Sequence, residues 1–106
     1  MRKDREIAVT ADPTQALAFD VVVRERQGES RHRVTISAAD TARYSGSGLD
    51  PGGCVEAAMA FLLDREPKES ILGAFDISVI RRYFPEFDET FPDYLARFAP
   101  GSGSGD

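Results

Sequence analysis

The segment from Cys54 to Leu63 constrains this chain most, because apolar side chains fill it almost without interruption. It reads Cys-Val-Glu-Ala-Ala-Met-Ala-Phe-Leu-Leu, and Glu56 is its only charged residue. Asp50 followed by Pro51 is typical of a helix start, with a capping side chain and a proline in the first turn. A helix that is apolar all round lies at the centre of a core or in an interface between subunits. The rest of the chain or a second subunit must therefore cover this helix.

Two segments before this helix alternate between apolar and polar residues, as half-buried strands do. They run from Ala18 to Arg26 and from Arg31 to Ser37. Gly28 between them suits a two-residue type II′ turn, which requires a positive φ at its first position. This turn sets Val23 opposite Val34, apolar facing apolar. The pattern therefore predicts an antiparallel hairpin.

The second half of the chain has the pattern of short helices separated by helix-breaking residues. The segment Ser37–Asp40 is a variant capping box that opens a helix to about residue 44. Further helices are expected over 67–74 and 76–84. Aromatic residues at helical spacing continue over 83–98, where Pro92 is expected to divide the helix into two pieces.

These elements predict one α+β domain over residues 1–100. Its sheet is a two- or three-stranded antiparallel hairpin sheet, with the third, outer strand at residues 7–10, and a cluster of four or five short helices follows. The length of 106 residues is typical of a single domain. Residues 1–5 are expected to be mobile, and the glycine and serine residues of 101–106 are expected to form a flexible tail.

The net charge of -5 is unevenly distributed along the chain. Residues 1–45 hold eight basic and seven acidic side chains, whereas residues 46–106 hold five basic and eleven acidic ones. The predicted hairpin register sets Arg24 opposite Arg33, and it sets Arg26 opposite Arg31. Like charges that face each other across a strand pair are destabilising. Solvent exposure with nearby carboxylates, an acidic partner surface or bound nucleic acid would each relieve this repulsion.

Aromatic residues on the last predicted helix allow two interpretations. Phe87, Phe91 and Tyr94 recur at helical spacing among acidic residues. They could form an acidic, aromatic docking surface for a partner protein. Core packing carries more weight, because a small domain needs its apolar residues inside. The candidate interaction surface comprises Arg24, Arg26, Arg31, Arg33, Phe87, Phe91 and Tyr94.

Catalytic and metal-binding patterns are weak in this sequence. Cys54 lies in a first helical turn, where the helix dipole favours a thiolate, but the chain has no second cysteine and only one histidine. A buried, inert cysteine is therefore the favoured interpretation. His32 is expected opposite Glu25, as an ordinary edge pair or a pH-sensitive contact. The stretch from 68 to 84 is a poor match to a helix-turn-helix, and we expect a helical pair that buries its apolar residues, Leu72 included. No metal, cofactor or catalytic site is predicted.

Three segments of the second half, E-P-K-E-S-I-L at 66–72, F-D-I-S-V-I at 75–80 and Y-F-P-E at 83–86, together resemble small bacterial proteins of uncharacterised function. The resemblance implies a bacterial source and brings no activity. The charged N-terminus does not have the pattern of a secretory signal, no apolar run has the roughly 20 residues of a membrane span, and a single cysteine fits a reducing compartment, so we expect a cytoplasmic protein.

We predict a non-enzymatic, homo-oligomeric interaction or regulatory module, such as a homodimer, whose partner is a second copy or another protein. The alternative is an antitoxin-like, nucleic-acid-associated regulator that uses the hairpin arginines.

Overall fold

The alternating segments form a four-stranded sheet with the strand order β1-β2-β3-β4. A computed structural model describes residues 5–99 of the chain. The strands are β1 (Glu6–Ala11), β2 (Ala18–Glu25), β3 (Gly28–Thr35) and β4 (Ala74–Asp76). The first three strands are antiparallel neighbours, and β4 pairs with β3 in parallel. The α+β class and the outer strand β1 are confirmed, whereas the two- or three-stranded hairpin sheet is corrected to a mixed sheet of four strands.

Mobile segments were predicted at both ends of the chain, and the structure describes only part of them. Of the N-terminal residues expected to be mobile, Arg5 is described, and its Nε lies 3.4 Å from a carboxylate oxygen of Glu25. Residues 1–4 and the predicted tail 101–106 lie outside the described residues.

The hairpin between β2 and β3 has a different register from the predicted one. Its turn is Arg26–Gln27, and Gly28, with a φ of 132°, begins β3. The positive φ of Gly28 is confirmed, but Val23 faces Ser30 instead of Val34. The displacement is an even number of residues, so each side chain keeps its predicted face. The buried face includes Phe19, Val21, Val23, His32 and Val34.

Four helices follow the hairpin, namely α1 (Ala38–Tyr44), α2 (Pro51–Leu63), α3 (Ile80–Tyr83) and α4 (Phe87–Phe98). The N-caps predicted at Ser37 and Asp50 are confirmed. The Ser37 hydroxyl accepts a hydrogen bond from the Asp40 N–H at 3.0 Å, and the Asp50 carboxylate accepts one from the Gly53 N–H at 2.8 Å. None of the helices within residues 5–99 has the length and apolar character that crossing a membrane requires.

The apolar helix α2 is the centre of the core. It packs against both β1 and α4. Val55, Met59 and Phe61 are fully buried within this single chain. The Phe61 ring lies edge-on to the rings of Phe87 and Tyr94, with centroids 4.9 and 5.5 Å away. Of the two environments expected for an all-apolar helix, a domain core and a subunit interface, α2 lies in the first, which explains its apolar composition.

The segment between α2 and α3 departs most from expectation. The helix predicted over 67–74 is a single 3-10 turn, Lys68–Ser70, after which Ile71 has an extended backbone and bends at residues 71 and 73 lead into β4. The backbone N–H of Arg33 donates to the carbonyl oxygen of Gly73 at 2.7 Å, so pairing with β3 holds this stretch open. The helical stretch predicted over 76–84 begins with the 3-10 turn Ile77–Val79, which Asp76 caps by accepting a hydrogen bond from the Ser78 N–H. A strand therefore separates the two helical pieces, and no helix-turn-helix forms here.

Helix α4 continues through Pro92 and is not divided into two pieces. Pro92 lacks an N–H and weakens the helix locally. Buried side chains lie on both sides of it, with Phe91 before it and Tyr94 and Leu95 after it. Packing of this continuous apolar face against α2 outweighs the loss of one helical hydrogen bond.

Candidate interaction surface

An apolar groove opens between the extended segment before β4 and helix α3. Its volume is about 190 Å³. Leu62 at the C-terminal end of α2 and Ile80 at the start of α3 are buried residues of its lining, and the half-buried Phe75 and Phe84 line it as well. The remaining lining residues are Glu66, Ser70, Ile71, Leu72, Val79 and Tyr83.

Two large apolar side chains of residues 5–99 are exposed, and both of them line this groove. Leu72 is 50% exposed and Tyr83 is 66% exposed. Exposed apolar side chains that cluster, instead of occurring singly, mark interaction sites. The predicted burial of Leu72 in a helical pair is wrong, because the helix that was to bury it ends at Ser70 and leaves Leu72 half-exposed. Its neighbour Ile71 is the buried one.

The buried His32 fixes the backbone at Leu72. Its Nδ1 lies 2.8 Å from the Leu72 carbonyl oxygen, which can only accept, so Nδ1 carries the proton and donates. Its Nε2 lies 2.7 Å from the Ser30 hydroxyl, which donates to it when the ring is neutral. The predicted pairing of His32 with Glu25 is wrong, since His32 faces Val21 in the β2–β3 ladder. The imidazole thus ties β3 to the groove wall.

The contact between Ser30 and His32 is the arrangement that activates a nucleophile in some enzymes. Neither residue lines the groove. Each ring nitrogen of His32 already has a hydrogen-bond partner within the fold. The contact between Ser30 and His32 is therefore explained by its structural role: it helps to orient the imidazole that donates to the Leu72 carbonyl oxygen.

Charged side chains border the groove. Glu66 is half-buried in its lining, Arg82 is exposed next to Tyr83, and neither forms an ion pair within residues 5–99. The neighbouring Arg65 is engaged, since its Nε donates to Glu86 at 2.9 Å and its guanidinium lies over the Phe61 ring at 3.7 Å.

The hairpin arginines do not oppose one another. In the observed register Arg24 faces Glu29 and Arg33 faces Asp20. Arg24 also lies 3.8 Å from Glu6. Opposite charges across a strand pair are stabilising, so the predicted like-charge pairs are replaced by favourable ones.

Carboxylates also neutralise the rest of this face. Arg31 contacts Glu29 at 2.9 Å, and Arg33 donates to Asp12 as well as to Asp20. The Arg33 hydrogen bond, with further ones from Thr14, holds the pKa of the Asp12 carboxyl well below its usual range. Arg26 lies in the turn and is exposed. The outer face of the sheet is thus a set of mixed charges and not a concentrated basic patch.

The aromatic residues of α4 are core residues. Phe87 and Phe91 are fully buried and stack on each other with ring centroids 4.4 Å apart. Tyr94 is also buried, and its hydroxyl donates to the Asp64 carboxylate at 2.5 Å. The docking-surface interpretation of these three rings is therefore wrong, and the core interpretation is confirmed.

Cys54 and the acidic residues offer little reactive chemistry. Burial, with a smaller contribution from the Asp50 charge, raises the pKa of the Cys54 thiol to about 11. Desolvation here outweighs the effect of the helix N-terminus. In the described range 5–99, His, Cys, Asp and Glu side chains do not gather in any group of three or more that could hold a metal ion.

The groove residues Leu72, Tyr83 and Glu66 were not among the sequence candidates. A signal for Leu72 was present, since Pro67 before it and Gly73 after it disfavour a continuous helix through this segment. Tyr83 carried no such signal, because its exposure depends on how α3 packs.

No family model, curated protein or solved structure matches this chain. The resemblance to small bacterial proteins therefore stays a prediction.

Proposed function

We propose that this chain is a non-enzymatic protein-interaction module whose docking surface is the groove beside Leu72 and Tyr83. The observation that carries the proposal is that both exposed large apolar side chains of residues 5–99 line one groove. Full burial of a large apolar side chain is worth about 1.5–3 kcal/mol relative to full exposure. Leu72, at 50% exposed, and Tyr83, at 66% exposed, each forgo only part of that free energy. Contact with a partner would recover part of this free energy.

The size of the groove favours a protein partner over a small molecule. Small-molecule sites have volumes of roughly 300–1,000 Å³. The groove, at about 190 Å³, is smaller and accommodates one apolar side chain. Protein interfaces commonly use single anchor side chains of this kind, each buried in a pocket on the other partner.

Charge specifies the partner further. Glu66 lines the groove, is half-buried and has no ion-pair partner within residues 5–99. A carboxylate without an ion-pair partner can form a charge-assisted hydrogen bond with a cationic group of the occupant. The occupant that fits is therefore a segment of another protein with an apolar anchor flanked by lysine or arginine.

Peptide-display selection against the purified chain tests this proposal. We expect enriched peptides to share an apolar anchor with a basic neighbour. Leu72→Glu should weaken their binding by about tenfold or more, which corresponds to about 1.4 kcal/mol. Ala42→Glu adds the same charge at an exposed position outside the groove and should leave binding unchanged. Peptides that bind the Leu72→Glu variant as well as the unchanged chain would refute the groove as the docking surface.

A charge reversal at Glu66 separates the electrostatic part of the proposal from the apolar part. Glu66→Lys should disfavour peptides with a basic neighbour and favour versions in which that neighbour is glutamate. Binding of both peptide versions to the variant without any change in preference would show that Glu66 does not select the partner.

The nucleic-acid alternative gains no support from the sheet, because carboxylates accompany Arg24, Arg31 and Arg33. Phosphate binding by arginines releases counterions and becomes weaker as salt rises. A mobility-shift titration with mixed DNA and RNA at low salt distinguishes the two functions. We expect no binding, and salt-sensitive binding that is lost on neutralising these arginines would favour the alternative.

A further inference from the structure

Strand β1 is the long free edge of the sheet. It pairs with β2 on one side, and no strand within residues 5–99 pairs with its other side. The Asp12 N–H donates to the Ala18 carbonyl oxygen at 2.9 Å, and in an antiparallel ladder the hydrogen-bonded positions alternate. The backbone groups of Ile7, Val9 and Ala11 therefore point towards the open edge.

This edge has little protection against further pairing. Natural edge strands are commonly blunted by lysine, proline or a bulge. β1 contains neither proline nor lysine, and Glu6 is its only charged residue. The opposite edge, β4, is only three residues long. An added strand would therefore pair with β1.

We propose that β1 pairs with β1 of a second copy, antiparallel, with Ala8 facing Ala8 at the two-fold axis. This register sets Ile7 against Val9 of the second copy on the buried side of the sheet, apolar facing apolar. It sets Glu6 against Thr10 on the outer side. Because the outward-pointing backbone groups of Ile7 and Val9 then face each other, they form hydrogen-bonded pairs.

The symmetric register centred on Val9 is less favourable. With Val9 facing Val9, Glu6 lies opposite Asp12 of the second copy, a pair of like charges. Arg5 then lies opposite Pro13, which has no N–H to donate. The charges of the described residues and hydrogen bonding therefore both favour the register centred on Ala8 over the one centred on Val9.

A cavity beside β1 supports a second copy as the occupant. It has a volume of about 400 Å³, and its lining includes Val9, Ala11 and Glu56. Glu56 has no ion-pair partner within residues 5–99, and burial raises its pKa. In the proposed register Arg5 of the second copy faces Ala11 on the cavity side. Its guanidinium has five donors, more than its contacts with Glu25 and Asp64 use, and can approach the Glu56 carboxylate.

The dimer depends on the edge strand and not on the groove. The inference therefore goes beyond the proposed function, and either can fail without the other.

Substitutions at Ala8 test the two-fold axis directly. Ala8→Glu and Ala8→Lys each place two like charges opposite each other in the dimer, and each should weaken dimerisation by about fivefold. Mixing the two variants in equal amounts places opposite charges there and should restore the dimer. Sedimentation velocity over a dilution series measures each state, and circular dichroism confirms that each variant is folded.

Val9→Pro is the second variant. It removes an N–H that points to the open edge and leaves the β1–β2 hydrogen bonds in place, so a folded monomer is expected. Leu72→Glu is the matched control and should remain dimeric. A wild-type chain that is monomeric throughout the series would overturn the inference, as would failure of the mixed Ala8 variants to recover. A dimer lost in Leu72→Glu and kept in both Ala8 variants would overturn it too, since the interface would then be the groove.

Discussion

Replacing Phe91 with alanine tests the placement of the α4 aromatic residues in the core. The Phe91 side chain is 0% exposed, stacks on Phe87 with centroids 4.4 Å apart, and receives the edge of Tyr44 at 5.0 Å. A buried phenylalanine replaced by alanine loses its transfer free energy and leaves a cavity, which together destabilise a protein by about 3–5 kcal/mol. Because two ring pairs are lost as well, we expect Phe91→Ala at the upper part of this range.

Urea unfolding followed by far-ultraviolet circular dichroism measures the loss. With a slope of about 2 kcal/mol per molar urea, a loss of about 4 kcal/mol lowers the unfolding midpoint by about 2 M. Since small domains have stabilities of about 5–15 kcal/mol, Phe91→Ala could leave little folded protein. Phe91→Leu keeps most of the volume and should lose less than about 1.5 kcal/mol, so it gives a measurable second point.

Tyr83→Ala provides the matched control. Tyr83 is an aromatic residue of the same part of the chain, but it is 66% exposed, and its removal should change stability by no more than about 0.5 kcal/mol. The reasoning is refuted if Phe91→Ala loses less than about 1 kcal/mol, or if both variants lose equal amounts. Either result would show that Phe91 is not a core residue and would again favour its assignment to a docking surface.

Three further outcomes are expected. Because the pKa of Asp12 is lowered by Arg33, its contribution to stability is complete above its ordinary value of about 4 and is lost as the pH falls through the lowered pKa. Urea titrations should therefore show that the wild type and Asp12→Asn approach the same free energy of unfolding as the pH falls below about 4. A difference in this free energy that grows below about pH 4 would contradict the ion pair. The Cys54 thiol should react with Ellman's reagent much more slowly in the folded chain than in urea, and fast native labelling would show that it is accessible. Gly28→Ala should lower the free energy of unfolding by about 1–3 kcal/mol in the same urea assay, because an alanine at a φ of 132° is strained. Gly46→Ala is the control: a Cβ there meets no other atom, so its stability should hardly change. Equal losses in the two variants would contradict backbone strain at Gly28.

The sheet illustrates what periodicity can and cannot predict. Alternation assigns each residue of β2 and β3 to a face, because every second side chain points the same way. Alternation does not determine the register, since any even shift preserves the faces. Pairing Val23 with Val34 satisfied the apolar side alone. The observed register also pairs Arg24 with Glu29 on the outer side, and both faces had to be considered together to find it.

The groove could not be predicted for a different reason. β4 is three residues long and pairs in parallel with β3, about 40 positions earlier in the chain. Such pairing depends on long-range contacts that leave almost no local pattern. Once β4 forms, Leu72 is pulled out of any helix, and its carbonyl oxygen comes within reach of His32. The candidate site thus depends on tertiary structure, whereas the N-caps of α1 and α2 could be predicted from the local sequence.

The two proposed surfaces lie at opposite edges of the sheet, and this fixes a distance that can be measured. Pairing through β1 makes a continuous sheet of eight strands with a β4 at each end, and each groove lies beside β4. Neighbouring strands are about 4.8 Å apart, so the two outermost strands are separated by about 34 Å. A tandem peptide with two anchors therefore needs a linker of at least about ten extended residues to occupy both grooves of one dimer. Calorimetry with linkers of increasing length should show an abrupt gain in affinity near that length. Val9→Pro, which is expected to be monomeric, should abolish the gain and leave the single-anchor affinity unchanged. A gain already present with much shorter linkers would rule out the arrangement through β1.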